Sequence, residues 1–387
     1  MHARSILENI DPAEDYTYLI YAYDESDPIK KLAINMPAPY TLIQTKTLKK
    51  SIDSPRDFPH LARVIFHRFT ALRDKGIDVF VQFDFMLGLP STSIAIKTIL
   101  VAYDLIPLIF KEDYIPTPTF AFRNNKGTLK KTKKTLRALY YQERYRLHYK
   151  NFEKADLLLS ISNSTTESLI TLLGIRQDRI ATIPLAPVFN TDKAIQPHRL
   201  KLSKPFIFYI GATDARKRVS DLIKAFNLVR QKNDIELILA GKEFANPAKI
   251  PSKDIIETLE NTPFRRNIHT LGYVNDAEKL WLYRNAKAFV FPSAYEGFGL
   301  PIVEALQNGC PVIAYDNSSI AEVGGNAIIL TPTSDVAALA GSINTLLADT
   351  AMRDKNVKLG YTQSKIYTWK NYMNQFYQIL RGLNEEN

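Results

Sequence analysis

Cysteine is almost absent from this sequence, since Cys310 is the only one among 387 residues. A lone cysteine excludes an intramolecular disulfide and a zinc site built from several thiolates. The six histidines are scattered, and none stands in an H-E-x-x-H spacing. We therefore expect no resident metal, and we expect Cys310 to be a small buried residue.

Long hydrophobic runs are missing as well. The chain has no stretch of about 18 apolar residues that would span a membrane, and no signal peptide opens it. These absences predict a cytoplasmic protein. Hydrophobic residues make up 45% and charged residues 23% of the chain, as in ordinary globular proteins. Its 387 residues are enough for two cores of common domain size.

Acidic side chains are scarce between residues 123 and 150, where Glu143 stands against ten lysines and arginines. Leu129, Leu136 and Tyr140 recur there at helical spacing, which predicts a basic amphipathic helix. An ordinary helix with a solvated basic face and a peripheral contact with an anionic membrane remain equal alternatives. The net charge of +10 favours anionic partners. Nucleic acid is not expected among them, because no binding motif accompanies the charges.

Strand-like and helix-like segments alternate through the first half, which favours a parallel, doubly wound sheet. No strand precedes the helix-like start at 1–10, so the first strand of such a domain is not visible. We predict a Rossmann-like domain over residues 1–198. Its predicted strands are 16–23, 40–44, 79–83, 98–102, 157–162 and 180–183, and its predicted helices include 61–75 and 166–173.

The second half repeats the pattern after a polar linker at 191–204. We predict a second Rossmann-like domain over 199–362 and a final helical segment over 363–387. Its predicted strands are 206–210, 235–241, 268–274, 288–291, 312–314 and 326–330. Its predicted helices are 219–229, 276–286, one that starts near Pro301, and 335–347.

The stretch 291–313 predicts a strand, a loop and a helix, with two glycines just ahead of the helix. The free N–H groups at a helix N-terminus favour an anion. Glu296 and Glu304 flank this anion site, although a carboxylate repels phosphate. Together they fit a ligand that has phosphate in its middle and hydroxyl groups at both ends. Taken singly, Glu296 fits a solvated loop charge and Glu304 an acid near a helix N-terminus.

Three consecutive cations, Arg216, Lys217 and Arg218, precede the helix predicted at 219–229. Cations at a helix N-terminus oppose the helix dipole, so their presence indicates a bound anion. The alternative is a cluster of solvated charges.

The string E-G-F-G-L-P-x-x-E-A-L-x-x-G-x-P-V-I-A from Glu296 to Ala314 resembles the donor-sugar signature of retaining glycosyltransferases of the GT-B fold. Within these, it is similar to the group 1 family (family 4 type), which includes bacterial mannosyl-, glucosyl- and rhamnosyltransferases. The resemblance implies an α/β GT-B architecture, in which two Rossmann-like domains face each other across a cleft and a C-terminal helix crosses back to the first.

The same resemblance implies roles for individual residues. Arg216 and Lys217 would bind the donor diphosphate, and Arg218 stands where the family usually has Asn or Gly. Glu296 would hold the transferred sugar and, with the two cations, is a catalytic candidate. The implied donor-binding positions are Glu304, Gly297, Phe298, Gly299, Leu300, Gly211, Tyr273 and Val274.

Tyr103 and Asp104 follow the strand predicted at 98–102 and are candidates for the sugar or acceptor side. The family often has His-Asp there, and a phenol does not serve as a base near neutral pH. An equal alternative is that Asp104 only caps the following turn.

The function implied is metal-independent transfer of a hexose, with retention, in cell-surface polysaccharide synthesis. The donor would be GDP-mannose or a UDP- or dTDP-sugar, which is a co-substrate and not a cofactor. The acceptor would be a glycan or a lipid-linked acceptor, and the protein would be cytoplasmic or peripheral on the inner face of the cytoplasmic membrane. Alternatives are an inactive nucleotide-sugar-binding module, a sugar phosphorylase or epimerase of the same fold, and a nucleic-acid binder that uses the basic helix.

Overall fold

The structure is a computed structural model of the chain. It describes residues 5, 6, 8–11, 13, 14, 18–22, 40–44, 78–83, 96–114, 139, 143, 145, 146, 149–202 and 204–385. The chain divides into two compact units. The first consists of residues 1–161, 165–183 and 369–387, and the second of 162–164 and 184–368.

The division at Pro184 lies ahead of the boundary predicted at residue 198. The polar segment after Pro184 bonds to the second unit, which explains the difference. Ile195 donates its N–H to the carbonyl of Ala277 at 3.0 Å. Arg199 Nη1 lies 2.7 Å from Glu278 Oε1. This segment therefore belongs to the second unit and is not a free linker.

The first unit contains a two-stranded parallel sheet and a four-stranded parallel sheet among its described residues. The sheets are ordered β1-β2 and β3-β4-β5-β6. Their elements are β1 (Tyr18–Ala22), β2 (Tyr40–Gln44), β3 (Val79–Gln82), β4 (Lys97–Ala102), α1 (Ile106–Ile109), α2 (Lys111–Tyr114), β5 (Leu157–Ser160), α3 (Asn163–Leu173) and β6 (Ile180–Thr182).

The core of the first unit forms around β4 and β5, whose apolar runs are buried as expected for a parallel sheet. Leu100 and Leu158 pack there with Phe152 and Leu169. The helix predicted at 61–75 lies outside the described residues. Of the basic helix predicted at 123–150, residues 139, 143, 145, 146, 149 and 150 are helical, and the remainder lies outside the described part.

The second unit alternates strands and helices from end to end. Its elements are β7 (Phe206–Ile210), α4 (Val219–Arg230), β8 (Glu236–Ala240), α5 (Lys253–Asn261), β9 (Ile268–Gly272), α6 (Asp276–Asn285), β10 (Ala288–Phe291), α7 (Leu300–Gln307), β11 (Val312–Asp316), α8 (Ile320–Gly324), β12 (Ile328–Pro332), α9 (Val336–Ala348) and α10 (Thr350–Ser364). Short 3₁₀ helices interrupt its loops, and one of them is Ala215–Lys217.

The strands of the second unit form one six-stranded parallel sheet in the order β12-β11-β10-β7-β8-β9. From β7 the chain adds β8 and β9 on one side and then returns to add β10 on the other. The topological switch point therefore lies between β7 and β10. In open α/β sheets, ligands bind at the carboxyl ends of the strands at such a point.

The last helix, α11 (Trp369–Glu385), belongs to the first unit. Tyr377 Oη accepts a hydrogen bond from the N–H of Asp11 at 2.9 Å. Arg381 pairs with Glu14 at 2.8 Å. Tyr372, Met373 and Phe376 are buried on the apolar stripe of α11. None of the described helices is both long enough and apolar enough to cross a bilayer.

Candidate functional site

Two loops meet at the switch point of the second unit. Residues 211–218 follow β7, and residues 292–299 follow β10. Since β7 and β10 are adjacent and parallel, both loops leave the sheet at the same edge. Ala294 donates its N–H to the carbonyl of Arg216 at 2.7 Å. The sheet topology thus brings together two segments that the sequence separates by about eighty residues.

Arg216, Lys217 and Glu296 form a buried ion cluster where these loops meet. Lys217 Nζ lies 2.5 Å from Glu296 Oε1, and Arg216 Nη1 lies 3.1 Å from Glu296 Oε2. The side chains of Lys217 and Glu296 are each only 10% exposed. Arg216 also contacts Asp214 and donates to the carbonyl of Tyr295. The three residues predicted to be catalytic therefore share one cluster.

The cluster keeps Glu296 ionised. Burial alone would raise the pKa of this carboxyl, but the charges of Lys217 and Arg216 outweigh burial and hold the pKa below its ordinary value. Lys217 also lies 5.2 Å from the centre of the Phe291 ring. A polar ligand can bind the two cations and the carboxylate only if it replaces the ion pairs that these side chains form with each other.

Packing within the first loop explains why glycine stands at residue 211. A Cβ atom on Gly211 would lie 2.5 Å from the hydroxyl oxygen of Tyr209. That hydroxyl donates to the carbonyl of Ala212 at 2.7 Å. Glu243 accepts from the N–H of Thr213 at 2.7 Å. Gly211 is therefore required by the packing of this turn, whatever its role toward a ligand.

Arg218 adopts the left-handed conformation, with φ 50° and ψ 37°, directly before α4. Glycine and asparagine tolerate this region better than other residues. The resembled family usually has Asn or Gly at this position, so the backbone explains that preference. Arg218 departs from the preference and is exposed.

The second loop is fixed by polar side chains that follow β11. Ser319 Oγ donates to the carbonyls of Glu296 and Phe298, at 3.0 and 2.9 Å. Glu296 donates its N–H to Ser318 Oγ at 2.9 Å. Asn317 donates to the carbonyl of Ser293 at 2.9 Å. These contacts hold the backbone around Glu296 in place.

The loop ends at Gly299, which precedes α7 with φ 98°. A side chain is strained in this conformation, so Gly299 is needed to start the helix here. Phe298 is buried and packs edge-on against Tyr367 at 5.5 Å. Gly297, Phe298, Gly299 and Leu300 thus place the N-terminus of α7 beside Glu296, as the sequence predicted for an anion site.

Glu304 lies on α7 and contacts α6, not the ion cluster. Lys279 Nζ is 2.7 Å from Glu304 Oε1, and Tyr283 donates its hydroxyl to Glu304 Oε2 at 3.0 Å. Burial raises the pKa of Glu304, and Lys279 only partly offsets this effect. Neither Lys279 nor Tyr283 was predicted as a site residue from the sequence. Their spacing of four residues within the helix predicted at 276–286 was the available signal.

Tyr273 and Val274 lie in the turn between β9 and α6. Arg199 holds this turn by donating to the carbonyls of Leu271 and Tyr273, at 2.8 and 2.7 Å. Tyr273 is 66% exposed, whereas Val274 is buried. The turn therefore presents the aromatic ring of Tyr273 to solvent, and its backbone is held in place by Arg199.

Tyr103 and Asp104 lie in the first unit, just after β4. Asp104 Oδ1 accepts from the N–H of Ile106 at 2.9 Å, so it caps the turn that begins α1. Thr165 donates its hydroxyl to the carbonyl of Tyr103 at 3.4 Å. The capping alternative for Asp104 is therefore observed. A role of either residue toward sugar or acceptor stays a prediction.

The described residues contain no group of three or more His, Cys, Asp or Glu side chains placed to hold a metal ion. At the switch point the second unit offers two side-chain cations, the amide groups of a helix N-terminus and the carboxylate of Glu296, and Glu304 adds a second carboxylate farther along α7. Such a set suits a ligand with a diphosphate centre and hydroxyl groups on both sides.

Known proteins resemble this chain in sequence and in fold. O-antigen chain mannosyltransferase B of Escherichia coli is 31% identical over 239 residues, covering 59% of this chain and 61% of that protein. Sucrose-phosphate synthase of Thermosynechococcus elongatus superposes with a TM-score of 0.69 at 18% identity, covering 96% of this chain and 89% of that one. Anabaena HepE in complex with UDP and glucose superposes with a TM-score of 0.66 at 17% identity, covering 98% and 94%.

Residues 190–363 match the family described as glycosyl transferases group 1. The matched segment lies within the second unit and includes the loops at the switch point, α6 and α7. The two solved structures are too dissimilar in sequence to show more than the fold, which they share with this chain over nearly its whole length. The chain has the GT-B fold, and its second unit carries a segment similar to the glycosyl transferases group 1 family.

Proposed function

We propose that the protein transfers a hexose, with retention of anomeric configuration, from a nucleotide-diphospho-sugar to a glycan or lipid-linked acceptor. The observation that carries this proposal is the ion cluster of Arg216, Lys217 and Glu296 at the switch point, next to the N-terminus of α7. Cations and amide dipoles in one place match a diphosphate, and a carboxylate beside them matches sugar hydroxyls.

The chemistry asked of these residues is stabilisation of a leaving group. The bond between the sugar C1 and the phosphate oxygen breaks as the acceptor oxygen bonds to C1 on the same face. The acceptor's proton passes to the departing phosphate oxygen. Lys217, Arg216 and the amides at the start of α7 neutralise the charge that grows on the diphosphate. In this proposal no metal ion is required, because the side-chain cations would supply the positive charge that a metal supplies in other enzymes.

We propose contacts for the remaining parts of the donor as well. Glu296 accepts from sugar hydroxyls, and Glu304 accepts from the ribose. Tyr273 and Val274 present an exposed ring and fixed backbone to the base. HepE was solved with UDP and glucose, which supports a nucleotide diphosphate as the ligand of this fold.

Mannose is the sugar we propose, with GDP as the nucleotide. The support is the 31% identity to a mannosyltransferase of O-antigen synthesis. This chain spans 61% of the length of that relative, so its acceptor and the linkage formed are proposed at the level of a cell-surface glycan. We place the reaction on the cytoplasmic face of the membrane, where the basic segment 123–150 would meet anionic lipids.

The test measures nucleotide diphosphate released from GDP-mannose, UDP-glucose and dTDP-rhamnose, with and without a mannan-type acceptor. We expect acceptor-dependent release from one donor, most strongly GDP-mannose, and unchanged release in EDTA. Lys217→Met should lower the rate by at least about a hundredfold, the scale seen when one donor to a developing oxyanion is removed. Lys224→Met is the matched control, since Lys224 is half exposed and lies 3.9 Å from Asp254 on the surface.

The outcomes separate the candidate functions. Binding of a nucleotide-sugar without transfer to any acceptor would favour the inactive binding module. Loss of activity in EDTA, with recovery on adding a divalent metal, would refute metal independence. Absence of nucleotide binding in the folded protein would refute the proposal as a whole.

A further inference from the structure

Helix α6 grips the carboxylate of Glu304 from one side. Lys279 and Tyr283 stand four residues apart on α6, so they point from the same face of the helix. Lys279 contacts Oε1 at 2.7 Å and Tyr283 contacts Oε2 at 3.0 Å. The Lys279 and Glu304 side chains are 14% and 13% exposed. Each carboxylate oxygen therefore receives one hydrogen bond from α6.

Both donors are held firmly. Tyr283 is fully buried and packs edge-on against Phe208 and Phe289, with ring centroids 5.3 Å apart in each case. The amine of Lys279 lies 4.6 Å from the centre of the Phe189 ring. A capping box between Asn275 and Glu278 fixes where α6 begins and hence which face carries these side chains. The carboxylate of Glu304 is thus oriented by a rigid surface.

We propose that Lys279 is a positioning residue for donor binding, which keeps Glu304 charged and aimed so that its free lone pairs accept from two ribose hydroxyls. A carboxylate has about four acceptor positions, and α6 occupies one on each oxygen. The outer positions are left for a pair of neighbouring hydroxyls. The inference rests on the proposed function, because it takes the ligand to be a nucleotide with an intact ribose.

The charges around Glu304 give the inference a pH signature. Burial raises the pKa of Glu304 first of all, and Asp276 raises it further, while Lys279 and the hydroxyl of Tyr283 lower it. Burial raises the pKa of Tyr283 first of all, and the nearby Glu304 and Cys310 raise it further. A protonated Glu304 has lost acceptor capacity and would bind the ribose less well. Without Lys279, protonation would begin at a higher pH, so the donor would be lost at a higher pH.

The experiment uses the full chain with Lys279→Met, Lys279→Arg and Tyr283→Phe. The probes are GDP and UDP, each paired with its 2′,3′-dideoxy form, titrated between pH 6 and pH 8. We expect the wild type to prefer the ribose form by roughly tenfold or more, the scale of a hydrogen bond to a charged group. Lys279→Met should lose most of this preference at pH 6 and recover part of it at pH 8. Its KM for the donor should rise while kcat changes little.

Two variants separate positioning from a general structural role. Lys279→Arg keeps a cation and should restore the preference. Tyr283→Phe keeps the ring packing and should lower the preference for the ribose form. It should shift the pH dependence of that preference less than Lys279→Met does. A purely structural role of Lys279 would weaken both forms of the nucleotide equally at every pH.

The contrary results are distinct. If Lys279→Met is folded and retains the wild-type preference across this pH range, the inference is wrong and the proposed function stands. If neither nucleotide binds the wild type, the proposed function is wrong and the inference falls with it. Lys224→Met should match the wild type in every measurement.

Discussion

Replacing Glu296 by glutamine should make the protein bind a nucleotide diphosphate more tightly, although it removes a residue proposed for catalysis. In the structure the carboxylate of Glu296 occupies Lys217 at 2.5 Å and Arg216 at 3.1 Å. A diphosphate must take these cations from Glu296. In the proposed reaction, a complete donor would compensate the carboxylate through its sugar hydroxyls, whereas the product diphosphate has no sugar. The cluster would therefore weaken binding of the product.

The size of the effect follows from the contacts. A hydrogen bond to a charged group contributes about 1.5–3 kcal/mol. If the glutamine frees Lys217 alone, the Kd of GDP should fall about 10- to 100-fold, since about 1.4 kcal/mol is tenfold. Affinity for the intact donor should improve less, because the lost carboxylate no longer meets the sugar. The ratio of the two Kd values is the quantity to measure.

Isothermal titration of GDP, UDP and GDP-mannose without acceptor provides this ratio, and thermal unfolding shows that the variant is folded. Removing one partner of a buried pair costs about 3–5 kcal/mol, so the free variant should melt earlier and gain more from nucleotide. Asp234→Asn removes an exposed partner of Lys204 and serves as the control. A folded Glu296→Gln protein with unchanged or weaker GDP binding would refute the argument.

Three further predictions concern stability. Arg218→Gly should raise stability by about 1 kcal/mol by relieving a left-handed residue, whereas Lys224→Gly within α4 should lower it by about as much, both measured by chemical denaturation. Gly241→Ala should be strongly destabilising, because its Cβ would lie 2.1 Å from the carbonyl oxygen of Gly211. Gly341→Ala, at a helix position with open space around it, should raise the melting temperature. Equal effects of the two substitutions on the melting temperature would contradict this explanation. The pKa of Glu304 is raised in the folded protein, so this group stabilises the fold below its ordinary pKa of 4.5 and loses that contribution as pH rises through the folded pKa. The melting temperature of the wild type relative to Glu304→Gln should therefore fall between pH 4 and pH 7. A rise would show that the pKa shift has the opposite sign.

Periodicity and turn chemistry predicted most of the second unit well. Strands β7 and β10 lie at the predicted residues, because a fully apolar run bounded by glycine or proline leaves few alternatives. Helix α6 begins at Asp276 as predicted, and a capping box between Asn275 and Glu278 fixes this start. Helix α10 was not predicted, since its sequence lacks an apolar stripe and Gly360 interrupts it.

Most residues of the candidate site were predicted from the sequence, but the contacts between them were not. Motif spacing identified Lys217 and Glu296, yet their direct contact depends on strand order, which local sequence does not encode. The partners of Glu304 were missed for the same reason, because α6 and α7 meet only in the folded sheet. Arg218 was recognised as a departure from the family, but its reason is a backbone angle that only the structure provides.

The membership of helix α11 in the first unit has a consequence for biosynthesis. The N–H of Asp11 and the hydroxyl of Tyr377 are joined across 366 residues, so this bond cannot form before Tyr377 has been synthesised and has left the ribosome. The second unit is synthesised complete before that moment. Domains usually fold in the order in which they are translated. Here the first unit, most of which is translated first, completes its contacts only after the second unit has been made. Until then the apolar stripe of α11 and the surface it covers are both exposed, and a nascent chain stalled before Trp369 would be a client for chaperones.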